Sequence, residues 1–403
     1  MNTNLRAKKI VWISFLVLDI HLHKTSQIEI LRNLAKRGWD VYLVAMQSKQ
    51  RYQLKNSGIQ IISIPLRNKR PISSALYVLT LLFFLPLYIA RMRPDFVMIE
   101  PNEQFFSFIP TLLLFPFRRF KVVLDIRSAP VARDTVGVRG CLKTFRFDVC
   151  VCVAKKLFDG ITIITPLMKE EVCRRLDINP DRVGVWTSGV SNTLFNPKNY
   201  VSESMELKRK LGLTGKFIVF YHGAISATRG LTETIKAIKI LKSAYPTIAF
   251  FLLGTGSIVP MLKDWIQSEK LQNKVIIHNP VDYGEVPKYI GMSDVCIVPL
   301  PNHPYWRFQC PLKLLEYLAM EKVVIVTDIP AHRLIVGEEK CGIYISSVKP
   351  TEIQKSIVYA YHNRENMKEW GRTGRRLIEE KYTWEKVARD LEHYLLSLVT
   401  ELD

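Results

Sequence analysis

Residues 9–15 (KIVWISF) and 40–45 (DVYLVA) are two short apolar runs separated by a segment with helical periodicity. In that segment Ile28, Leu31 and Leu34 recur at the spacing of one helix face, and a glycine follows its last turn. A strand, a helix and a second strand in this order predict a βαβ unit with parallel strands and a right-handed crossover. The N-terminal part of the sequence therefore predicts an α/β fold.

The same alternation restarts after Pro197, with an apolar run at 217–221 (FIVFY), a helical pattern at 231–241 and another apolar run at 248–253. The remaining strand candidates are residues 58–64, 96–100, 121–126, 160–165, 183–186, 275–278, 295–299, 323–326 and 342–345. Two sheets in sequence predict two domains, which we place at 1–197 and 198–380, followed by a C-terminal helix within 381–403. Ligands of open parallel sheets lie at the carboxyl ends of the strands, so we expect the site there.

The net charge is +20 over 403 residues and is concentrated in the first half, where residues 1–200 contain 30 Lys and Arg against 14 Asp and Glu. This excess of positive charge favours a negatively charged partner, and nucleic acid, an anionic membrane surface and phosphorylated substrates are the alternatives. The basic residues are scattered among apolar runs rather than interleaved with aromatic residues on one sheet. This pattern disfavours a nucleic-acid-binding protein.

Residues 74–90 and 105–117 are apolar runs that are near or below the length of about 20 residues needed to span a bilayer. Each contains a proline and is followed by arginines. A strand is predicted between them, and it would be cut off from its sheet if both runs crossed the membrane. Two interpretations stay open: helices packed on the sheet, or helices whose outer faces enter the membrane interface.

The seven cysteines are an odd number and have no paired metal-binding spacing. With no secretory signal before Lys8, we expect reduced thiols in the cytoplasm and no metal site.

The segment 222–230 (HGAISATRG) connects the first strand of the second domain to its first helix. A turn at Gly223 lets the backbone approach a ligand, the helix after Gly230 offers free N–H groups, and Arg229 adds a cation. This combination suits a diphosphate, although an ordinary turn with a solvated arginine has the same sequence. The turn at Gly254 is a weaker candidate, because it lacks the third glycine of a dinucleotide fingerprint.

The segment 311–319 (PLKLLEYLA) predicts a helix that begins near Leu312, with Lys313 and Glu316 three residues apart on one face. A carboxylate there accepts hydrogen bonds from two ribose hydroxyls, while Lys313 and the first N–H groups meet phosphate oxygens. A surface Lys–Glu pair is the alternative.

The segment 311–319 resembles the donor-site signature of glycosyltransferase family 4, which comprises retaining enzymes of the GT-B fold. Residues 188–197 (SGVSNTLFNP) are similar to the interdomain stretch of that family, residues 293–299 (SDVCIVP) to one of its strands, and residues 382–384 to the start of its last helix. The resemblance covers the chain from end to end. It implies two Rossmann-like parallel-sheet domains facing a central cleft, with the C-terminal helix crossing back to the first domain.

The resemblance also implies roles for individual residues. Glu316 would bind the ribose, Val281 and Tyr283 would line the base pocket, and Arg229 would hold the diphosphate. The full candidate set for a UDP- or GDP-sugar is Gly223, Arg229, Gly230, Gly254, Val281, Tyr283, Leu312, Lys313 and Glu316. The sequence departs from the family pattern at Phe308, where the first of two glutamates is usual, and at Ala224, where an arginine is usual.

Asp125 and Arg127 follow a first-domain strand and are the candidates for contact with the donor sugar or the acceptor phosphate. The family often places a histidine near this point, and His23 in the first loop is a further catalytic candidate. The alternatives are a strand-end ion pair and an ordinary loop histidine.

These patterns predict a retaining glycosyltransferase that moves a sugar from a UDP- or GDP-sugar to a lipid-linked or glycan acceptor, without a metal or other cofactor. We expect it in the cytoplasm, peripheral on the inner face of an anionic membrane. A nucleotide-sugar epimerase of the same fold and a catalytically silent partner subunit are the alternatives.

Overall fold

The computed structural model describes residues 7–17, 25–47, 57–65, 72–102, 104–114, 118–130 and 138–400. Its contacts divide the chain into two units, one formed by Met1–Ser188 with Trp384–Asp403 and the other by Gly189–Thr383. The division therefore comes earlier than the predicted boundary at residue 197. The Arg375 guanidinium donates hydrogen bonds to the carbonyl oxygens of Asn192 and Phe195, and these bonds hold residues 189–197 in the second unit.

The strands of the first unit are β1 (Lys9–Val17), β2 (Asp40–Gln47), β3 (Ile59–Pro65), β4 (Phe96–Ile99), β5 (Lys121–Ile126), β6 (Gly160–Ile163) and β7 (Val183–Val185). They form a parallel sheet of order β3-β2-β1-β4-β5-β6-β7. Its helices are α1 (Thr25–Lys36), α2 (Ile72–Met92), α3 (Gln104–Leu114), α4 (Val138–Leu157), α5 (Pro166–Leu176) and the C-terminal α15 (Trp384–Thr400).

The strands of the second unit are β8 (Phe217–His222), β9 (Ile248–Leu253), β10 (Val275–His278), β11 (Val295–Val298), β12 (Val324–Thr327) and β13 (Gly342–Ile345). They form a parallel sheet of order β10-β9-β8-β11-β12-β13. Its helices are α6 (Val201–Lys210), α7 (Leu231–Leu241), α8 (Val259–Ser268), α9 (Val286–Gly291), α10 (Pro304–Arg307), α11 (Leu312–Ala319), α12 (Pro330–Val336), α13 (Pro350–His362) and α14 (Met367–Lys381).

Both sheets are doubly wound, which confirms the predicted pair of Rossmann-like domains. The central strands are buried on both faces, as in β9, where all six residues are buried, so they read as continuous apolar runs. The direction of winding reverses between β1 and β4 in the first sheet and between β8 and β11 in the second. The carboxyl ends of strands at such a reversal are where open α/β sheets bind ligands.

The C-terminal helix α15 packs on the first unit, as predicted. Its Glu392 accepts a hydrogen bond of 2.7 Å from the Trp39 indole and forms an ion pair with Arg37. The Tyr394 hydroxyl accepts from the Ile161 amide and donates to the Arg182 carbonyl. The chain therefore returns to the sheet where it began.

Helices α2 and α3 are packed against each other, and α2 buries Tyr77, Leu81, Leu85 and Ile89 at intervals of four residues. Large apolar side chains also remain exposed on these helices: Leu76, Leu79, Phe83, Phe84, Leu87, Tyr88, Phe106, Leu113 and Leu114. Among the helices of the described ranges, none has the length and apolarity that a membrane crossing requires.

Candidate functional site

The turns after β8 and β9 pack backbone against backbone at the carboxyl edge of the second sheet. Gly223 has φ +107° and its amide donates to the Leu253 carbonyl. A Cβ on Gly254 would lie 2.0 Å from the Gly223 carbonyl oxygen, so a larger residue does not fit there. The glycine at 254 is explained by this close approach, and it fixes the path of the 223 turn.

Gly230 joins the same turn to α7 and has φ +66°. A Cβ on this residue would lie 2.1 Å from the carbonyl oxygen of Pro299, which directly follows β11. The turn after β8 is therefore wedged against the end of β11, at the point where the strand order reverses. The turn also lies close to the start of α11, because Lys313 approaches Gly223.

Lys313 lies in the first turn of α11 and points its ammonium at the 223 turn. Its Nζ is 3.8 Å from the centroid of the Tyr221 ring and 3.3 Å from where a Cβ on Gly223 would stand. The Nζ is buried and has no hydrogen-bond partner among the described residues. Burial lowers the pKa of Lys313 well below its usual value, and the nearby Arg229 lowers it further, whereas Glu316 opposes the shift.

Arg229 is the second cation of this cluster. Its guanidinium lies 5.0 Å from the centroid of the Trp306 ring, and the Trp306 indole donates to the Thr228 carbonyl. Burial raises the pKa of Tyr221 to about 12, and Arg229 opposes this shift. In the parts of the chain that the structure describes, neither Lys313 nor Arg229 has a carboxylate within 4.0 Å, so neither cation forms a close ion pair, although Glu316 is near enough to oppose the lowered pKa of Lys313.

Glu316 lies one turn along α11, and its side chain is 3% exposed. The Tyr283 hydroxyl donates a 2.7 Å hydrogen bond to its Oε1, and the His222 Nε2 is 2.8 Å from its Oε2. The carboxylate therefore has a defined orientation with one partner on each oxygen. Since an ionised carboxylate offers about four lone-pair sites, each oxygen retains capacity for a further donor.

The structure thus brings together Arg229, Lys313 and Glu316, which the sequence had placed in one predicted site. Leu312 begins α11 beside them, and Val281 precedes Tyr283 in the turn after β10. The Tyr283 hydroxyl donates a hydrogen bond to Glu316, the candidate residue for binding the ribose, and the sequence did not predict this contact. Its role in a base pocket stays a prediction.

The first unit holds a separate polar cluster around Asp125, which lies in β5 and is fully buried. Its Oδ1 accepts hydrogen bonds from the Thr162 hydroxyl at 2.8 Å and the Trp186 indole at 2.9 Å, whereas its Oδ2 has no partner among the described residues. Burial raises the pKa of Asp125 to about 6, and the positive charge of Arg127 opposes this shift. These bonds join the ends of β5, β6 and β7.

Arg127 packs its guanidinium 3.5 Å from the centroid of the Trp186 ring and donates a 2.6 Å hydrogen bond to the Trp186 carbonyl. Asp125 and Arg127 therefore share a contact with Trp186. Contact of Asp125 or Arg127 with a substrate stays a prediction, and His23 lies outside the described residues.

The sequence interpretation missed His222, Tyr317 and Trp306. His222 ends β8, contacts the Glu316 carboxylate, and is itself bonded to the Tyr317 hydroxyl. His222 could have been identified from the sequence, because it is a polar residue at the end of an apolar strand and precedes a glycine turn. Such a position lies at the edge of a parallel sheet where ligands bind. Over the described ranges, the structure has no group of three His, Cys, Asp or Glu side chains arranged to hold a metal ion.

Comparison with known proteins locates the strongest similarity in the second unit. Residues 203–377 match the family described as glycosyl transferases group 1. This range contains both glycine turns and the helix with Lys313 and Glu316. The match therefore includes the polar cluster of the second unit and leaves out the cluster around Asp125.

Two curated relatives are similar over about half of their length. The putative teichuronic acid biosynthesis glycosyltransferase TuaH of Bacillus subtilis is 27% identical over 210 residues, which is 51% of this chain and 49% of that protein. The alpha-monoglucosyldiacylglycerol synthase of Acholeplasma laidlawii is 25% identical over 214 residues, or 53% of this chain and 52% of that one.

The fold similarity extends over nearly the whole chain. The crystal structure of Anabaena Alr3699/HepE in complex with UDP has a TM-score of 0.74 at 12% identity, and covers 96% of this chain and 100% of that one. Residues 203–377 therefore match glycosyl transferases group 1, and the chain as a whole has the GT-B fold.

Proposed function

We propose that this protein is a retaining glycosyltransferase that takes its sugar from a nucleotide-diphosphate donor held by the second unit. The observation that carries the proposal is the buried ammonium of Lys313, which lacks a hydrogen-bond partner among the described residues and lies against the 223 turn beside Arg229. A buried cation without a partner is costly, and a diphosphate would supply the missing negative charge.

The same two cations suit the chemistry of transfer. When the glycosidic bond to the diphosphate breaks, negative charge develops on the leaving phosphate oxygens, and fixed cations in a poorly solvated site stabilise it strongly. Lys313 and Arg229 would supply this charge, together with the N–H groups at the start of α11. Glu316 would orient the nucleotide by accepting hydrogen bonds from the ribose hydroxyls.

The expected donor is a UDP- or GDP-sugar, and UDP has the stronger support because the Anabaena structure of the same fold was solved with UDP. The direct test is a thermal-shift screen of UDP- and GDP-sugars, since a ligand that binds only the folded protein raises its melting temperature by an amount that grows with its concentration and affinity. A stabilising UDP- or GDP-sugar is expected. No shift and no calorimetric binding with any sugar nucleotide would contradict the proposal.

The anomeric outcome needs its own measurement. We expect an α-linked donor to give an α-linked product, which proton coupling constants of the anomeric position report by NMR. A product of inverted anomeric configuration would contradict the retaining mechanism but not the glycosyltransferase activity. Conversion of the donor without any acceptor would instead identify a nucleotide-sugar epimerase.

A catalytically silent subunit is the second candidate, favoured by Ala224 and Phe308, where the resemblance implies an arginine and a glutamate. Detectable transfer by the isolated chain would exclude it. Tight nucleotide binding without transfer to any acceptor would support it.

We further propose that the acceptor is lipid-linked or a glycan precursor, and that the protein works on the cytoplasmic face of an anionic membrane. The supporting feature is the apolar face of α2, which consists of Leu76, Leu79, Phe83 and Leu87, with Phe83 68% and Leu87 65% exposed. Arg91 lies in the last turn of the same helix. Exposed apolar side chains next to arginines suit an interface with anionic lipid. The Acholeplasma relative is named for a glucosylated diacylglycerol, which agrees with such an acceptor.

Liposome sedimentation tests the membrane proposal. We expect binding to vesicles containing anionic lipid, weaker binding at high salt, and a further loss in a Phe83→Ser, Leu87→Ser double variant. Ile240→Ser on α7 is the matched control, because Ile240 is also an exposed apolar residue, at 50%, but belongs to the second unit. Equal binding by the double variant and the control would contradict a role for α2.

A further inference from the structure

His222 has a contact with the carboxylate of Glu316 that the chemistry above does not use. It ends β8, its side chain is 13% exposed, and its Nε2 lies 2.8 Å from Glu316 Oε2. Tyr283 holds the other oxygen, but it lies in a partly exposed turn after β10, whereas His222 belongs to a central strand. A ribose hydroxyl would replace the Tyr283 bond more readily than the His222 bond.

The imidazole is fixed from its other side by Tyr317. The Tyr317 hydroxyl accepts a 2.9 Å hydrogen bond from the His222 backbone amide and lies 3.0 Å from His222 Nδ1. The Tyr317 hydroxyl can donate its own proton to Nδ1, which then accepts. Since a carboxylate only accepts hydrogen bonds, the Nε2 that faces Glu316 carries a proton.

Ring packing keeps the imidazole in this orientation. Its centroid is 6.0 Å from that of Phe220 in a stacked arrangement with an interplanar angle of 26°, and 5.2 Å from that of Tyr317 at 76°. The two rings restrict rotation of the imidazole, and the Tyr317 hydroxyl selects its tautomer. Glu316 therefore meets a donor whose position is set before any ligand arrives.

We propose that His222 is the positioning residue of Glu316, and that the ordered chain from Tyr317 through His222 to Glu316 sets the preference of the site for a ribose over a deoxyribose. The inference rests on the proposed nucleotide-binding function. With His222 Nε2–H on one carboxylate oxygen, Glu316 keeps one orientation in which its remaining lone pairs would accept from a vicinal pair of hydroxyls. Without that donor the carboxylate would lose one of the two contacts that orient it and would distinguish less well between one hydroxyl and two.

The experiment is calorimetric titration of the full chain with UDP, GDP and their 2′-deoxy counterparts. The wild type is expected to bind the ribonucleotide about tenfold more tightly, since one hydrogen bond to a charged group is at stake. His222→Asn, which keeps an amide near Nδ1 but has none near Nε2, is expected to reduce this ratio to below about threefold. His222→Gln, whose amide reaches the Nε2 position, is expected to restore most of the ratio.

His278→Asn is the matched control, because His278 also ends a strand of this sheet, and its Nδ1 bonds to the Asn279 carbonyl rather than to a carboxylate. It is expected to keep the wild-type ratio. Tyr317→Phe, which leaves the tautomer unassigned, is expected to give an intermediate ratio. Thermal unfolding of each variant shows whether it is folded, and the ratio of two affinities is insensitive to a partial loss of folded protein.

The outcomes separate the two proposals. Wild-type protein that binds neither UDP nor GDP overturns the nucleotide-binding function and this inference with it. Wild-type protein that prefers the ribonucleotide, together with a His222→Asn variant of unchanged preference, overturns the role of His222 alone.

Discussion

The polar clusters of the two units are built on the same plan but respond to charge in opposite ways. Each has a buried titratable group at a strand or helix end with an arginine nearby: Asp125 with Arg127 in the first unit, and Lys313 with Arg229 in the second. Arg127 favours the charged form of Asp125, whereas Arg229 disfavours the charged form of Lys313. Arg127 supplies an opposite charge beside Asp125, whereas Lys313 and Arg229 are like charges, and neither has a carboxylate within 4.0 Å among the described residues. The two units thus differ in the charge balance of their polar clusters, although both sheets are doubly wound.

The largest expected effect is the loss of nucleotide binding when the carboxylate of the second cluster is removed. Glu316→Ala is expected to weaken UDP or GDP binding by about a hundredfold, because two hydrogen bonds to a charged group disappear together. Calorimetric titration measures it. Glu352→Ala on α13, an exposed glutamate paired with Lys355, is the control for net charge and should bind normally. Equal affinities for both variants would place the nucleotide elsewhere.

A somewhat smaller effect tests the first cluster through its pH dependence. The pKa of Asp125 is raised to about 6 in the folded protein, so its contribution to stability is complete below about pH 4 and is lost as the pH rises through 6. Asp125→Asn keeps the acceptor for Thr162 and Trp186 but does not titrate. Between pH 4 and 7 the variant should therefore gain about 2 kcal/mol in unfolding free energy relative to the wild type.

Chemical denaturation at several pH values gives this difference. Nucleotide affinity should be unchanged in Asp125→Asn, since the residue belongs to the other cluster. A parallel pH dependence in variant and wild type would show that Asp125 is ionised and compensated throughout this range.

Lys313→Met sharpens the contrast because stability and binding should move in opposite directions. The folded protein without ligand should gain about 1 kcal/mol, since a buried ammonium without a partner among the described residues is replaced by an apolar side chain of similar length. The gain in unfolding free energy should be larger at low pH, because the wild-type protein must then bury a protonated Lys313 whose pKa is lowered in the folded state. It should vanish at high pH, where Lys313 is neutral in both the folded and the unfolded state.

Nucleotide affinity should fall about tenfold in the same variant, because one charge-assisted contact with phosphate is lost. Thermal unfolding with and without UDP measures both effects in one series. A destabilised variant with normal affinity would mean that Lys313 serves packing and not the ligand.

The smallest effect is expected at Arg229. Arg229→Gln should reduce nucleotide affinity only about threefold, because this partly exposed cation is better solvated than Lys313. Its removal also relieves the repulsion that lowers the pKa of Lys313, which strengthens the remaining contact. Titration at two salt concentrations is the measurement. A loss larger than that of Lys313→Met would reverse the assigned importance of the two cations.

Much of this organisation could be predicted from the sequence, because local periodicity fixes α/β alternation. The runs at 9–15 and 217–221 became β1 and β8, and the apolar segments around 74–90 and 105–117 became helices of the first unit. The convergence of Arg229, Lys313 and Glu316 was predicted from the resemblance to a donor-site signature, because spacing alone was equally consistent with a surface Lys–Glu pair and an ordinary turn. The contacts divide the chain after Ser188, whereas the sequence predicts a boundary at residue 197, and the hydrogen bonds of Arg375 to this segment leave no local signal in the sequence.

The sequence by itself determined the two βαβ patterns, the excess positive charge of the first half and the residue types of the donor signature, because these depend on spacing and composition. Only the tertiary structure decided which groups touch. It brought His222 and Tyr283 to opposite oxygens of Glu316, left Lys313 buried against Tyr221, and joined both Asp125 and Arg127 to Trp186. The physical reason is that burial and hydrogen bonding depend on neighbours far apart in the chain, and these contacts set the charge and orientation of each group.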